Sequence, residues 1–267
     1  MRKKPVIRLI AADMDGTLLI DHETIHPNNV KAIHRAMEQG ACFVVASGRT
    51  VASCRRVLAA HALHDIAVIG ANGGEISDHE GFIVEQHFMD SELARKTLRI
   101  YSENGLHACL CSEKGVVYPT AEAMERIAGR TAEASKYGEN AIQDALVHPY
   151  KTACIKLAGQ ESAFEAARNA CERLPGIQIT SSWHNNFEAM PTGVSKGAAL
   201  RRLAARLDIC ADEVLAFGDG ENDLSMLAYV GFGYVMGNAQ ADIIAKAKYV
   251  TGRNDQAGVA QGIARFF

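Results

Sequence analysis

An apolar segment, residues 6–12, closes on two aspartates one position apart, Asp13 and Asp15, and no other junction constrains the chain as much. The segment reads as a buried strand, so both acids fall where the strand stops and the backbone opens. Two carboxylates this close repel unless they share a proton or a cation. A hard divalent ion such as Mg²⁺ resolves the conflict, because it takes oxygen ligands and leaves room for water and phosphate. Gly16 permits a sharp exit and Thr17 brings a hydroxyl beside the pair. One aspartate can then act as nucleophile and the other as acid and base. Taken alone, Asp-x-Asp-Gly is also a common turn pattern. The rest of the chain decides between the two.

The same arrangement recurs. Residues 41–46 form a second apolar run, ending at Ser47-Gly48-Arg49, and residues 67–70 a third, ending at Ala71-Asn72-Gly73. Helical patterns over 27–39 and 51–61 separate these runs, as in parallel α/β units. Near the other end, a helical stretch over 195–207 precedes the run 214–217, which ends at Gly218-Asp219-Gly220-Glu221-Asn222-Asp223. A shorter run, 234–236, ends at Gly237-Asn238-Ala239. Polar groups therefore follow the carboxyl ends of the apolar runs, and in an open parallel sheet those ends line the edge where ligands bind.

The middle differs. Short β-type runs at 116–118, 154–157 and 177–180 alternate with helical segments at 92–104 and 162–173, without a dense polar and glycine motif. The expected organisation is a core made of 1–82 and 188–267, with an α+β domain, 83–187, inserted into it. A net charge of −3 gives no reason to expect nucleic acid or an acidic membrane surface as partner. No apolar stretch reaches the roughly 20 residues of a membrane helix, and the basic start is followed only by a strand-length run, unlike a signal peptide. Seven scattered cysteines without a Cys-x-x-Cys point to reduced, packed thiols and a cytoplasmic location. Nothing in the sequence fixes an oligomeric state.

In order, Asp13-Met14-Asp15-Gly16-Thr17, Ser47-Gly48-Arg49, Lys196 and Gly218-Asp219-x-x-Asn222-Asp223 resemble the four motifs of the haloacid dehalogenase-like hydrolase superfamily. The long insertion between the second and third motifs resembles the Cof-type branch of sugar-phosphate phosphatases, which carries a large cap. The resemblance covers essentially the whole chain. Its implied fold is α/β, a Rossmann-like parallel-sheet core with an inserted α+β cap. One peripheral mark departs: many relatives have an acidic residue before the final Gly-Val-Ala, where this chain has Ala257.

The resemblance implies a phosphatase for a small phosphate ester. Asp13 would attack phosphorus and form an aspartyl-phosphate, dividing one hard step into two. Asp15 would protonate the leaving oxygen and later deprotonate water, which requires it protonated first, as neighbouring negative charge would favour. The family places Mg²⁺ on the carboxylates of Asp13 and Asp219 and the main-chain carbonyl of Asp15. Phosphate contacts would come from Ser47, the main-chain N–H groups of Met14 and Gly48, Lys196 and Asn222. Lys196 stands at a helix start, where the macrodipole disfavours a cation, so a bound phosphate and Asp13 explain it better than a solvated face. Asp223 would orient Lys196 or join the outer shell of the metal. Ser47 also fits a helix N-cap, Arg49 either a carboxylate partner or a surface arginine, and Asn72 and Asn238 either the site or ordinary turns. In the insertion, Lys151, Lys156, His184, Asn185 and Asn186 are polar without an assigned role. Two further readings use the same nucleophile: a phosphosugar mutase, and a non-hydrolytic phospho-aspartate signalling domain.

Overall fold

The computed structural model describes residues 5–128, 136–156, 159–183 and 185–267, so residues 1–4, Leu157 and His184 lie outside the described residues. Contacts divide the chain into two units, 1–85 with 195–267, and 86–194. The first part supplies β1 (Leu9–Ala12), α1 (Pro27–Glu38), β2 (Cys42–Ala46), α2 (Val51–Ala60), β3 (Ala67–Gly70), β4 (Glu75–Ser77) and β5 (Ile83–Gln86). The middle holds α3 (Ser91–Glu103), β6 (His107–Ser112), β7 (Gly115–Tyr118), α4 (Ala121–Ala128), β8 (Lys136–Tyr137), α5 (Glu139–Ala145), β9 (Pro149–Ile155), α6 (Glu161–Glu172), β10 (Ile177–Thr180) and β11 (Asn186–Pro191). The last part returns with α7 (Lys196–Arg206), β12 (Val214–Gly218), α8 (Leu224–Tyr229), β13 (Phe232–Val235), α9 (Ala241–Ile244), β14 (Tyr249–Val250) and α10 (Gly258–Ile263).

The first and last parts build one sheet in the order β14-β13-β12-β1-β2-β3-β4-β5. From β14 to β3 every neighbouring pair is parallel, and β4 turns back antiparallel on β3. The chain runs outward from β1 through β2 to β3, then restarts at β12 on the other side of β1. That reversal puts the topological switch point between β1 and β12, where the carboxyl ends of the strands open a crevice. Strand alternation explains why both faces are covered. Ile10, Ala12, Phe43, Val45, Leu215 and Phe217 pack with residues of α1, α2 and α10 on one face. Leu9, Ala11, Val44, Ala46, Val214 and Ala216 pack with α7 and Met226 on the other. Local signals fix the helix starts: Pro27 occupies the first turn of α1, and the Ser195 hydroxyl accepts from the Ala198 N–H to cap α7.

The second unit is a six-stranded sheet, β10-β11-β9-β6-β7-β8, antiparallel except between β7 and β8. The chain leaves and re-enters the first unit at 85/86 and 194/195, later than the cuts at 82/83 and 187/188 expected from sequence. The reason at the second cut is β11: residues 186–191 pair with both β9 and β10 and so belong to the inserted sheet. Helices α3 and α6 lay Tyr101, Phe164, Ala167 and Cys171 against Ala108, Cys154 and Phe187. The Phe187 ring meets Tyr101 and Phe164 edge-on, at centroid distances of 5.2 and 5.1 Å. All seven cysteines are free, with only Cys42 and Cys210 exposed.

Three of the polar residues singled out in the insertion, Lys151, Lys156 and Asn186, have local partners. Lys151 and Glu188 form a buried ion pair at 2.8 Å. Lys156 pairs with Glu161. The Asn186 side-chain oxygen accepts from the N–H groups of Ser182 and Trp183, which makes it a turn former. Truncating the central ring tests how far this unit depends on its aromatic cluster. Phe187→Ala is expected to cost roughly 3–5 kcal/mol, the range for large buried aromatics, and a urea midpoint equal to that of the parent protein would contradict this packing role.

Candidate active site

Asp13 is the first residue after β1, and its N–H donates to the Phe217 carbonyl of the neighbouring β12 at 3.0 Å. Asp219 is the first residue after β12. The two acids thus flank the switch point on adjacent strand ends. The residue between Asp13 and Asp15 points inward: the Met14 side chain is part of the core, and its carbonyl accepts from the Leu19 N–H at 2.9 Å. Gly16 then turns the chain at φ +77°, where a Cβ would lie 2.3 Å from Asp219 Oδ2. Only glycine lets the loop approach that carboxylate so closely.

Lys196 reaches into this crevice from the first turn of α7. Its Nζ donates to Asp13 Oδ1 at 2.6 Å and to Asp223 Oδ1 at 2.7 Å, and the residue is 0% exposed. Asp223 is equally buried, and its second oxygen accepts from the N–H groups of Asp219 and Gly220, both at 2.9 Å. Asp223 thus contacts Lys196 directly, as one of its two expected readings requires. Thr17 Oγ1 donates to Asp219 Oδ1 at 2.7 Å and fixes that side chain. One carboxylate oxygen from each of Asp13, Asp219 and Asp223 lies within 4.8 Å of the others.

Three carboxylates and one ammonium leave a surplus of negative charge with little solvent to disperse it. Burial pushes the Asp13 carboxyl well above the usual carboxylate range, against the pull of Lys196, with Asp223 and Asp219 adding to the rise. Burial, with Asp223 beside it, takes Asp219 up to about 7. Burial works against the Lys196 ammonium, but Asp13 and Asp223 outweigh it and hold the lysine charged far above neutrality. A site with excess negative charge and hard oxygen donors suits a small divalent cation. Because Lys196 and two N–H groups already take both oxygens of Asp223, Asp13 and Asp219 are the acids of this group that could hold such an ion.

Asp15 sits apart from this cluster. Both its oxygens accept from Arg49, from Nε at 2.7 Å and from Nη2 at 2.6 Å, and Arg49 Nη2 also donates to the His22 carbonyl at 2.8 Å. Negative charge does stand near Asp15, since Asp15 helps to raise Asp219, but its bonded partner is a guanidinium in fork geometry. Of the two readings open for Arg49, the carboxylate partner is the observed one. Ser47 Oγ accepts from the Arg49 N–H at 3.1 Å and is also within hydrogen-bonding reach of the Cys54 thiol. Ser47 does not cap α2, because Thr50 is the N-cap and accepts from the Ser53 N–H. Gly48 lies between them in the turn after β2. Asn222 Nδ2 donates to Asn72 Oδ1 at 3.0 Å, joining the loops after β12 and β3. Asn238 Nδ2 donates to the Gly16 carbonyl at 2.8 Å and its Oδ1 accepts from the Asn254 N–H, so it braces the loop after β1.

Two residues escaped the sequence reading. Asn254 donates to the Leu19 carbonyl at 2.8 Å and supports the same loop from the end of β14, a strand of two residues and too short to leave a periodic signal. Glu75, 6% exposed, accepts the Val51 N–H at 2.6 Å and so places negative charge at the start of α2. A lone buried glutamate has no sequence signature.

Comparisons with known proteins agree with this frame. The family model of haloacid dehalogenase-like hydrolases matches residues 10–263. A 5-amino-6-(5-phospho-D-ribitylamino)uracil phosphatase of Bacillus subtilis is 31% identical over 96% of this chain and 94% of its own length. A pyridoxal phosphate phosphatase of Escherichia coli is 28% identical over 96% of this chain and 97% of its own. The solved structure of a haloacid dehalogenase-like hydrolase from B. subtilis superposes with a TM-score of 0.86 at 28% identity, covering 98% of this chain and 100% of that one. No helix among the described residues is long and apolar enough to cross a membrane. The chain belongs to the haloacid dehalogenase-like hydrolases, and within them to the Cof-type phosphatases.

Proposed function

We propose that this chain hydrolyses a small phosphorylated metabolite, a sugar phosphate or similar monoester, with Mg²⁺ as cofactor and an aspartyl-phosphate on Asp13 as intermediate. The observation that carries the reading is the Asp13 carboxylate at the switch point, gripped by a fully buried Lys196 and facing Asp219. Asp13, Asp219 and the main-chain carbonyl of Asp15 would hold the ion. When bound, it would neutralise the nucleophile and the phosphoryl oxygens.

In the first half-reaction an Asp13 oxygen forms a bond to phosphorus as the ester P–O bond breaks, and the leaving oxygen takes a proton from Asp15. In the second, water attacks the same phosphorus and gives its proton back to Asp15, releasing phosphate and free Asp13. Lys196, Ser47 and Asn222 would bind the phosphoryl oxygens and hold phosphorus in line, and the main-chain N–H groups of Met14 and Gly48 would complete the cradle. Asp15 can serve as acid only by exchanging its paired state with Arg49 for a proton, so substrate entry and the loosening of that ion pair are coupled steps. The inserted unit, 86–194, would recognise the part of the substrate remote from phosphate. Relatives that act on a phosphoribitylamino-uracil and on pyridoxal phosphate support a monoester of a small polar metabolite.

Phosphate release from a panel of phosphorylated metabolites and an aryl phosphate, with and without Mg²⁺, tests the proposal. Metal-dependent release with one or a few compounds preferred by kcat/KM is expected. Asp13→Asn should remove turnover and the covalent intermediate, and steady-state activity in the purified variant would exclude Asp13 as nucleophile. The metal makes its own signature. Asp219 rises from its ordinary 3.8 to about 7, so between those values the folded protein holds a proton that the unfolded chain has lost. Metal-free stability therefore falls as pH rises through that interval. A cation bound to ionised Asp13 and Asp219 reverses the loss, so Mg²⁺ should raise Tm distinctly at pH 8 and far less at pH 5. A larger rise at pH 5, or none at either pH, would refute the assignment.

A further inference from the structure

Between β3 and β4 the chain makes a turn that the phosphatase reading does not by itself require. Ala71 and Asn72 are both left-handed, at φ 49° and 56°, and Gly73 follows at φ +99°. An alanine in that region carries a steric cost, and such conformations persist where surrounding contacts over-determine them. Several contacts of this turn lead to the candidate site. The Ala71 N–H donates to the Arg49 carbonyl at 2.7 Å and the Asn72 N–H to the Ser47 carbonyl at 2.9 Å. A Cβ on Gly73 would lie 2.4 Å from the carbonyl oxygen of Ser195, the residue before Lys196. The Asn72 side chain, in a residue 1% exposed, accepts the Asn222 amide at 3.0 Å. One strained turn therefore touches the loop after β2, the start of α7 and the loop after β12.

Closing a β3–β4 connection does not explain why a side chain should be carried in the strained position. Of the glycines at 70, 73 and 74 only Gly73 has a positive φ, so the two left-handed positions before it are both filled by residues that carry side chains. Asparagine tolerates the left-handed region and adds an amide whose carbonyl can fix the orientation of a facing amide. We propose that Asn72 is a positioning residue for phosphate, holding the Asn222 amide in the orientation that binds a phosphoryl oxygen. The proposal rests on the phosphatase reading for the role of Asn222, but it concerns binding rather than turnover. Asn72 need not touch phosphate for this.

A double-mutant cycle tests it. Asn72→Gly keeps the left-handed backbone and removes the amide; Asn222→Ala removes the group that Asn72 is proposed to orient. Affinity of the Mg²⁺-supplemented protein for inorganic phosphate is measured by calorimetry, and kcat and KM on the best substrate of the panel. Asn72→Gly is expected to weaken inorganic phosphate about 10-fold and to raise KM similarly, with kcat changed less than about 3-fold, as for loss of one hydrogen bond to a charged ligand that serves ground and transition states alike. In the Asn222→Ala background the same substitution should change neither quantity. Equal losses in both backgrounds, a loss confined to kcat, or unchanged phosphate affinity would overturn the proposal. Should Asn72→Gly not fold, the cycle is run with Asn72→Ala, since the chain already accepts a left-handed alanine at 71. A parent protein that binds phosphate but hydrolyses nothing would end the phosphatase reading and leave this one standing, whereas a parent that binds no phosphate would end both.

Discussion

One buried ammonium holds the site together. Lys196 lies where water does not reach, between the carboxylates of Asp13 and Asp223. Taking both carboxylates away would strand a buried charge, which costs far more than a surface pair returns. The consequences spread outward from there. Asp223 spends its second oxygen on the main-chain N–H groups of Asp219 and Gly220, so the charge that anchors Lys196 also shapes the loop carrying Asp219. Thr17, four residues past Asp13, fixes Asp219 from the other side. Asp13, Lys196 and Asp219 are in this way positions in one connected set of ionic and hydrogen bonds.

The fold decides where that set stands. With β1 flanked by β12 on one side and β2 on the other, the chain diverges at the centre of the sheet, and loops from both directions meet over the same strand ends. The apolar residues of those strands do no chemistry; they hold the loop origins one strand spacing apart. Substrate identity does not follow from such a frame, since relatives with the same frame are phosphatases of different compounds.

Much of this was legible in the sequence because two codes coincide in the core. A strand covered on both faces leaves an uninterrupted apolar run, and the polar residues that follow each run mark its carboxyl end, as at Asp13, Ser47, Asn72 and Asp219. Pairing across long separations left no such trace. That Arg49 takes both oxygens of Asp15 depends on the β1–β2 register, and that Glu75 reaches the start of α2 depends on the β4 position; neither is written in local composition. The exit of the inserted unit was placed early for a related reason. Residues 188–191 lack a long apolar run, and only their pairing with β9 and β10 assigns them to the second sheet.

The order of the sheet also bears on how the protein comes into being. Leu9 pairs with Cys42 on one side and with Val214 on the other. During synthesis, β1 and β2 can meet early, and the entire second unit emerges before Lys196, β12 and Asp223 exist. Through that interval Asp13 lacks Lys196 and the Phe217 carbonyl that accepts its N–H. Domains generally form in order as they leave the ribosome, and contacts of long sequence separation form late. The Asp13–Lys196–Asp223 cluster therefore closes late, and a nascent chain interrupted between residues 195 and 222 carries the whole inserted unit but lacks Asp223.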